Sequence, residues 1–462
     1  MGHLVTPVAF AGALTVVLAT FVHPALGVLV AVGALAPLYG ALVSQVLRDP
    51  IVAFGLLFPQ LYLFNMVTGI WFHRYAQLLV VGLFIWMIVR IFLDDWTLKR
   101  LPLRYATWLA LFMAWVFLSA SMSFNAERSF FAAGHYLFYV LALVALNQLL
   151  STRHRVLRFF EALVVGATLY SLAVCGLLLP ATLQGGLLTL ISIKGELLGI
   201  NTNGVPIPLI VCIPFVFIRC LDRPDHRLRN LLALGTISLA ILLTLSRSAW
   251  VGSAAGLFFL FVLYQLKAGR AQRLLLAGLA LAGLSVVVLI AAGDQFSALS
   301  GLERGTTGRI YLWEAARGMI ADHPITGIGP GMWEVFDASY AAYDGPIDLT
   351  HYAAHAHNTY LMHTAELGIP GGLLATALLV MLLHDSVRGA FDSALPRSYR
   401  LHLLGCAGVV IVIATRGLFE STLLLWPGGP ASSAWLAFVA VSVARFREPS
   451  PDPTPREAAR AG

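Results

Sequence analysis

Apolar runs of about 20 residues recur from one end of this chain to the other, the length a helix needs to cross the hydrocarbon layer of a bilayer. They fall near 5–22, 25–44, 51–70, 75–93, 105–121, 131–150, 156–179, 204–221, 230–245, 249–266, 274–292, 358–383, 402–420 and 431–446. Hydrophobic residues make up 59% of the chain and charged residues only 11%, too few charges to cover the surface of a soluble protein of 462 residues. The expected fold is therefore all-α: a polytopic integral membrane protein with about 12 to 14 transmembrane helices, an even number either way. Segment 1 lacks a small-residue cleavage site and is expected to be a retained helix. Cys175, Cys212, Cys220 and Cys406 lie in or at the ends of apolar runs and read as small core residues, without disulfide or zinc spacing.

Orientation follows from the basic residues, which mark cytoplasmic loops. Lys99, Arg100 and Arg104 form one such loop, and Arg153, Arg155 and Arg158 another. Arg219, Arg223, Arg227 and Arg229 come next, then Lys267, Arg270 and Arg273, then Arg388, Arg397 and Arg400. With Arg48, Arg90, Arg445, Arg447, Arg456 and Arg460, 22 of the 30 basic residues lie on one side, and both termini are cytoplasmic. The other eight are Arg74, Arg128, Lys194, Arg247, Arg304, Arg309, Arg317 and Arg416. Snorkelling or pairing with carboxylates would explain any one of them. Eight together on the disfavoured side, around one large loop, suggest a site for an anion.

Three outward elements stand out. Residues 180–203, with Gly185-Gly186, Lys194 and Asn201-Thr-Asn203, read as a loop, re-entrant if its leucines dip into the membrane. Leu245-Ser-Arg247-Ser-Ala249 is a tight reversal in which Arg247 either caps a helix end or offers a fork of donors to phosphate oxygens. The third is the large loop 293–357. Thr306 and Thr307 are expected N-caps for an amphipathic helix from Arg309 to Ile320, with an apolar stripe of Ile310, Trp313, Ala316, Met319 and Ile320. Arg309, Trp313 and Arg317 share one flank of it, and Arg317 could instead pair with Glu314. The breaker-rich turn His323 to Gly331 follows, then a second amphipathic helix from Trp333 to Tyr343. The Gly-x-Gly in that turn follows no strand, so a dinucleotide or P-loop reading fails. The chain thus divides into helical 1–292, the loop 293–357, helical 358–447 and a proline-rich, disordered cytoplasmic tail 448–462.

Where that loop meets the next apolar run stands His355-Ala-His357-Asn358, followed by Glu366-Leu-Gly368-Ile-Pro-Gly371. With these residues the chain resembles the O-antigen ligase and polymerase superfamily of bacterial envelope glycosyltransferases, and is most similar to the ligases. The ligase signature is His, then Asn, Ser or Gln, nine residues, Gly, two residues, then Gly, Thr or Tyr. His357-Asn358, residues 359–367, Gly368, Ile369-Pro370 and Gly371 satisfy it throughout. Ser246-Arg247, Arg309 with Trp313, and Pro324 to Gly329 look like the family's other landmarks in the right order. The likeness is strong over roughly 190–385 and generic before that.

The resemblance implies a metal-independent, inverting transfer at the periplasmic face of the inner membrane. The donor is a glycan on undecaprenyl pyrophosphate, and the acceptor a hydroxyl of the lipid A core, of another glycan or of a protein. It implies His357 as general base, a role suited to a side chain whose unperturbed pKa is near neutral. Arg247 and Arg309 would grip the pyrophosphate bidentately. Lys194 and Arg317 follow as further ligands, with Asn358, Glu366 and Arg416 in support. Backbone N–H groups at the start of the helix after His357 would add positive potential. Arg416 is expected to pair with Glu420 one turn on, and Glu366, nine residues from His357, to lie away from it along a straight helix. Gly368 and Gly371 are expected to allow close helix packing. His351 and His355 are expected to be loop or acceptor contacts; a His355–His357 metal pair lacks a carboxylate in its own motif. The one Asp-Asp pair, Asp94-Asp95, falls on the cytoplasmic side, so no metal and no other cofactor is expected. Membrane lipids and these two substrates are the expected partners, and nucleic acid is not one. The sequence leaves the oligomeric state open. A lipid-linked sugar transporter is the rival reading, but it would need internal symmetry and mid-membrane polar residues, whereas no repeat is visible and charge gathers on one face.

Overall fold

The computed structural model describes residues 51–52, 55–56, 59, 100–196, 204–222, 226–267, 302–340, 355–421 and 430–447. The runs expected at 5–22, 25–44, 75–93 and 274–292, the tail, Arg74 and His351 lie outside the described residues, and so does most of 51–70. The described residues are helical throughout, with α1 (Leu103–Ser121), α2 (Ala126–Leu149), α3 (Arg153–Glu196), α4 (Ile207–Asp222), α5 (Arg227–Leu243) and α6 (Arg247–Lys267). After these come α7 (Leu302–Asp322), α8 (Trp333–Tyr340), α9 (Thr359–Phe391), α10 (Arg397–Gly417) and α11 (Pro430–Arg447). Five of them carry stretches long and apolar enough to cross a membrane: Leu103–Ser121, Arg153–Leu179, Arg247–Leu266, Thr359–Phe391 and Arg397–Gly417.

Helix α10 is the centre of the bundle, packed against α4, α6, α9 and α11. Most of its length is buried, including the run Leu403 to Val410. It approaches α6 closely, Gly252 lying against Val412 and Arg416 and Gly256 against Gly408, the small-residue contact that membrane helices favour. One end of the bundle is tied by Asp385 of α9, which takes hydrogen bonds from Arg104, Tyr105 and Arg447. The chain's basic loops at 100–104, 153–158, 397–400 and 445–447 gather at that end. The opposite end holds α7, α8 and the turn before α9, over a small core of Leu312, Ala316, Met319, Ile328, Met332, Trp333, Ala356, Met362 and Ala365.

Three local expectations change. The stretch read as a loop from residue 180 is helical through Pro180 to Glu196, a continuation of α3. Gly185 and Gly186 weaken a helix by about 1 kcal/mol each without breaking it, and the helix persists through them. Thr306 and Thr307 do not cap α7, because it already begins at Leu302. Its buried stripe runs through Leu312, Ala315, Ala316 and Met319, while Ile310 is exposed. The cysteines are free; Cys175, Cys212 and Cys406 are buried and Cys220 is half-buried.

Candidate active site at the turn before α9

The turn His355–Asn358 is held from three directions. Trp313 of α7 donates its indole N–H to the Ala356 carbonyl at 3.1 Å. Asn358 is the N-cap of α9: its side-chain oxygen accepts from Tyr360 N at 3.0 Å and Leu361 N at 3.1 Å. Its amide nitrogen reaches the Leu418 carbonyl at 3.1 Å, and its backbone N–H donates to Ser421 Oγ at 3.0 Å. Thr359 Oγ1 donates to the Glu420 carbonyl and Tyr360 to the Ala414 carbonyl, both at 2.8 Å. The start of α9 is thus stitched to the segment that leaves α10. Since Asn358 occupies those first N–H groups, they are not open to an anion as the sequence suggested.

The stitching brings Glu420 under both histidines. His357 Nδ1 lies 3.4 Å and His355 Nε2 3.8 Å from Glu420 Oε1, and the rings sit 4.1 Å apart at 61°. Glu420 is fully buried, and its Oε1 also accepts from Ser421 N at 3.1 Å. At 3.4 Å the His357 contact is electrostatic, at the outer edge of hydrogen-bond reach. Burial works against the charge on Glu420, but the contact with and charge of His357, then the charges of His355 and Arg416, outweigh it and hold the carboxyl at about 2. It is ionised at neutral pH and can only accept. A proton on His357 therefore belongs on Nδ1, facing Glu420, which leaves the Nε2 lone pair for chemistry.

His355 has the opposite character. Burial, reinforced by the neighbouring His357, pushes its pKa from 6.5 down to about 4; Glu420 opposes this and Arg309 adds to it. It is a neutral imidazole whose Nδ1 accepts the backbone N–H of His357 at 3.3 Å. That bond supports a left-handed backbone at His357, with φ of +49°, unusual for a residue with a side chain. Leu245, two residues before Arg247, has φ of +52°. Both turns with a proposed functional residue thus carry backbone strain of the kind that clusters at working sites.

The remaining candidates divide. Arg309 is close enough for its charge to act on His355. Arg416, fully buried, acts on Glu420 through its charge. Arg247 is exposed at the start of α6, and no described contact joins it to the histidines. Gly252, which faces Arg416, lies about 7.5 Å further along α6, so Arg247 sits at the histidine end of the bundle. Arg317 is exposed on α7, and Lys194 lies in the last turn of α3. Arg128 is taken up elsewhere: it donates to the Gly331 carbonyl at 3.0 Å and pairs with Glu334 at 2.9 Å.

Glu366 and the two glycines are structural. α9 is broken at Gly368 (φ 70°, ψ 176°), and Pro370 lacks an N–H for the Glu366 carbonyl. The turn 324–331 fills the break. Ile369 N–H donates to the Pro324 carbonyl at 2.8 Å, Ile328 N–H to Ala365 at 3.0 Å and Gly329 N–H to Glu366 at 2.9 Å. Trp115 of α1 donates to the Leu367 carbonyl at 2.8 Å. The Glu366 carboxylate accepts from Gly331 N at 3.0 Å and Trp333 N at 3.4 Å, at the entry to α8. Gly368 therefore allows a break filled by another turn, beyond the close helix packing expected of it.

Sequence reading missed Glu420 as the partner of His357, having assigned it only to Arg416. The available signal was a carboxylate and an arginine one turn apart at the end of an otherwise apolar run.

Fold and site together define a multi-pass helical membrane protein with a carboxylate-backed histidine at one end of its bundle, flanked by arginines. Residues 232–376 match the family model Wzy_C, described as O-antigen ligase, and this match supports a place in the O-antigen ligase superfamily. A comparison with curated proteins returned no match. The matched segment includes Arg247, Arg309, His355, His357, Asn358, Glu366 and Gly368, while Arg416 and Glu420 lie beyond it.

Proposed function

We propose that the protein is an O-antigen ligase, which transfers a polysaccharide from undecaprenyl pyrophosphate to a hydroxyl of the lipid A core at the periplasmic face of the inner membrane. The observation that carries this reading is His357 Nδ1 lying 3.4 Å from a buried, ionised Glu420. In this reading Nε2 of His357 takes the proton of the acceptor hydroxyl as its oxygen attacks the anomeric carbon. The bond to the pyrophosphate oxygen breaks on the opposite face, so the configuration inverts. The departing pyrophosphate gains negative charge, and Arg309 and Arg247 stabilise it. Each charge-assisted bond of that kind contributes about 1.5–3 kcal/mol. The transfer itself is metal-independent. The complete ligase signature favours a lipid A core acceptor over a glycan or protein one.

Purified protein, carrier-linked glycan and lipid A core, without any ion gradient, should yield the joined product, and His357→Ala should abolish transfer while donor binding survives. Near-normal turnover in that variant would remove histidine from the mechanism. A deletion strain should accumulate long polymer on the carrier lipid with bare cores. Cores bearing a single repeat would instead identify a polymerase.

A further inference from the structure

The two histidines and Glu420 can do something besides move a proton. Their ligand atoms lie within 4.8 Å of one another, with His355 and Glu420 buried and His357 partly open to the outside. Among the described residues Glu420 Oε2 is buried and meets no hydrogen-bond donor. Two imidazoles and a carboxylate form a set suited to zinc and its neighbours in the first transition row, with positions left for water. Neither motif nor spacing could show this, because the carboxylate is 63 residues from His357 along the chain and arrives only through the stitching of α9 to α10.

We propose that His355, His357 and Glu420 form a binding site for a divalent ion of the zinc class, and that its occupancy switches transfer off. The ion is an inhibitor here, not a cofactor. The reason lies in the electron count of the ring. A neutral imidazole has one nitrogen lone pair. When Nδ1 of His357 carries the proton and faces Glu420, that pair is on Nε2 and can accept the proton of an alcohol. When Nδ1 ligates a metal, the proton moves to Nε2 and no basic nitrogen remains. His355 undergoes the same exchange: ligation through Nε2 puts its proton on Nδ1, and the 3.3 Å bond from His357 N–H is given up. The left-handed turn at His357 loses that support, so the metal also loosens the geometry of the base. Arg309 and Arg416 oppose a cation at this place, while the Glu420 carboxylate favours it. The inhibitory clause rests on His357 being the base; the binding clause does not.

The test uses the full-length, tag-free protein in nanodiscs. One equivalent of cobalt(II) should give the visible absorption of a low-coordinate nitrogen and oxygen site, and zinc should displace it. Glu420→Gln and His355→Asn should each weaken zinc binding by about 10-fold or more, at least the effect that even an outer partner of a metal ligand commands. Zinc should suppress glycan transfer in the wild type, and a chelator should restore it. The cobalt spectrum is read on the unaltered protein, so a variant that fails to fold does not block the test. No cobalt absorption, or zinc affinity unmoved by both substitutions, overturns the site and leaves His357 as base untouched. Zinc held at the site with transfer at full rate overturns the switch, and with it the reading of His357.

Discussion

Glu420→Gln removes one formal charge and almost no volume, and the amide oxygen can still accept from Ser421 N and face His357 Nδ1. What it cannot do is stabilise the positive charge that His357 would acquire in the proposed reaction as it takes the acceptor's proton. A contact to a charged group in a buried setting contributes about 1.5–3 kcal/mol. At about 1.36 kcal/mol per tenfold change in rate, kcat should fall roughly 10- to 160-fold. KM for the donor should hold, since Glu420 faces the two histidines and in the proposed reaction the arginines hold the pyrophosphate. Glu420→Asp keeps the charge one methylene further away and should recover part of the loss. Glu420→Gln also removes a negative charge that acts on buried Arg416, so the variant should lose stability as well. Rates are therefore compared per folded molecule, with the folded fraction taken from size-exclusion fluorescence and thermal unfolding. Folded Glu420→Gln turning over at the wild-type rate would refute the argument, because no polarised histidine would then be needed.

Other expectations follow from the same contacts. Arg309→Ala should weaken donor binding and turnover together, and Arg309→Lys should restore only part in a transfer assay, because an ammonium cannot bind two phosphate oxygens as a planar fork. Gly368→Ala places a Cβ against the Ile325 carbonyl at a backbone angle that favours glycine, and should cost at least about 2 kcal/mol in thermal unfolding. Asn358→Ala should cost about 1 kcal/mol through loss of the α9 cap, and Asn358→Asp should keep the cap while losing the bond to Leu418. Stability should also fall with acid. The unfolded chain protonates His355 near 6.5 and the folded chain only near 4, so folding strength present above 6.5 is lost as pH drops through that window. The loss is on the order of 3 kcal/mol by linkage, and His355→Gln should flatten it in unfolding curves recorded with a chelator present.

Much of the bundle was legible because lipid crossing imposes a length and an apolar composition that any reader of the chain can see. α1 and α6 stand within two residues of where the hydropathy put them at each end, while α9 runs eight residues past the expected 383 and α10 starts five before the expected 402. What failed was local: Gly185 and Gly186 read as helix breakers, yet α3 runs through them, and Thr306 and Thr307 read as caps, yet α7 starts before them. His357 and Arg309 were picked out as candidates by type and place, and Arg309 acts electrostatically on His355. Glu420 was not among them, because partnership across 63 residues depends on how α9 and α10 pack, which no local pattern encodes.

The signature itself now has a physical meaning. Its His and its first Gly mark the two ends of one short helix, residues 359–367, about 13.5 Å long. The His end is fixed to the α10 exit through Asn358, Thr359 and Tyr360, which brings Glu420 to the imidazole. The Gly end is fixed to the turn 324–331 through three backbone bonds, and that turn leads directly from α7, which carries Arg309 and Trp313. The nine intervening residues are therefore a ruler between the histidine that faces Glu420 and the turn that leads from the helix carrying Arg309. Adding or removing one residue would turn His357 by about 100° relative to Gly368, so the two ends could not both keep their partners. The spacing follows from joining the Glu420 contact at one end and the 324–331 turn at the other through one rigid segment, and in the proposed reaction only its first residue, His357, takes part in the chemistry.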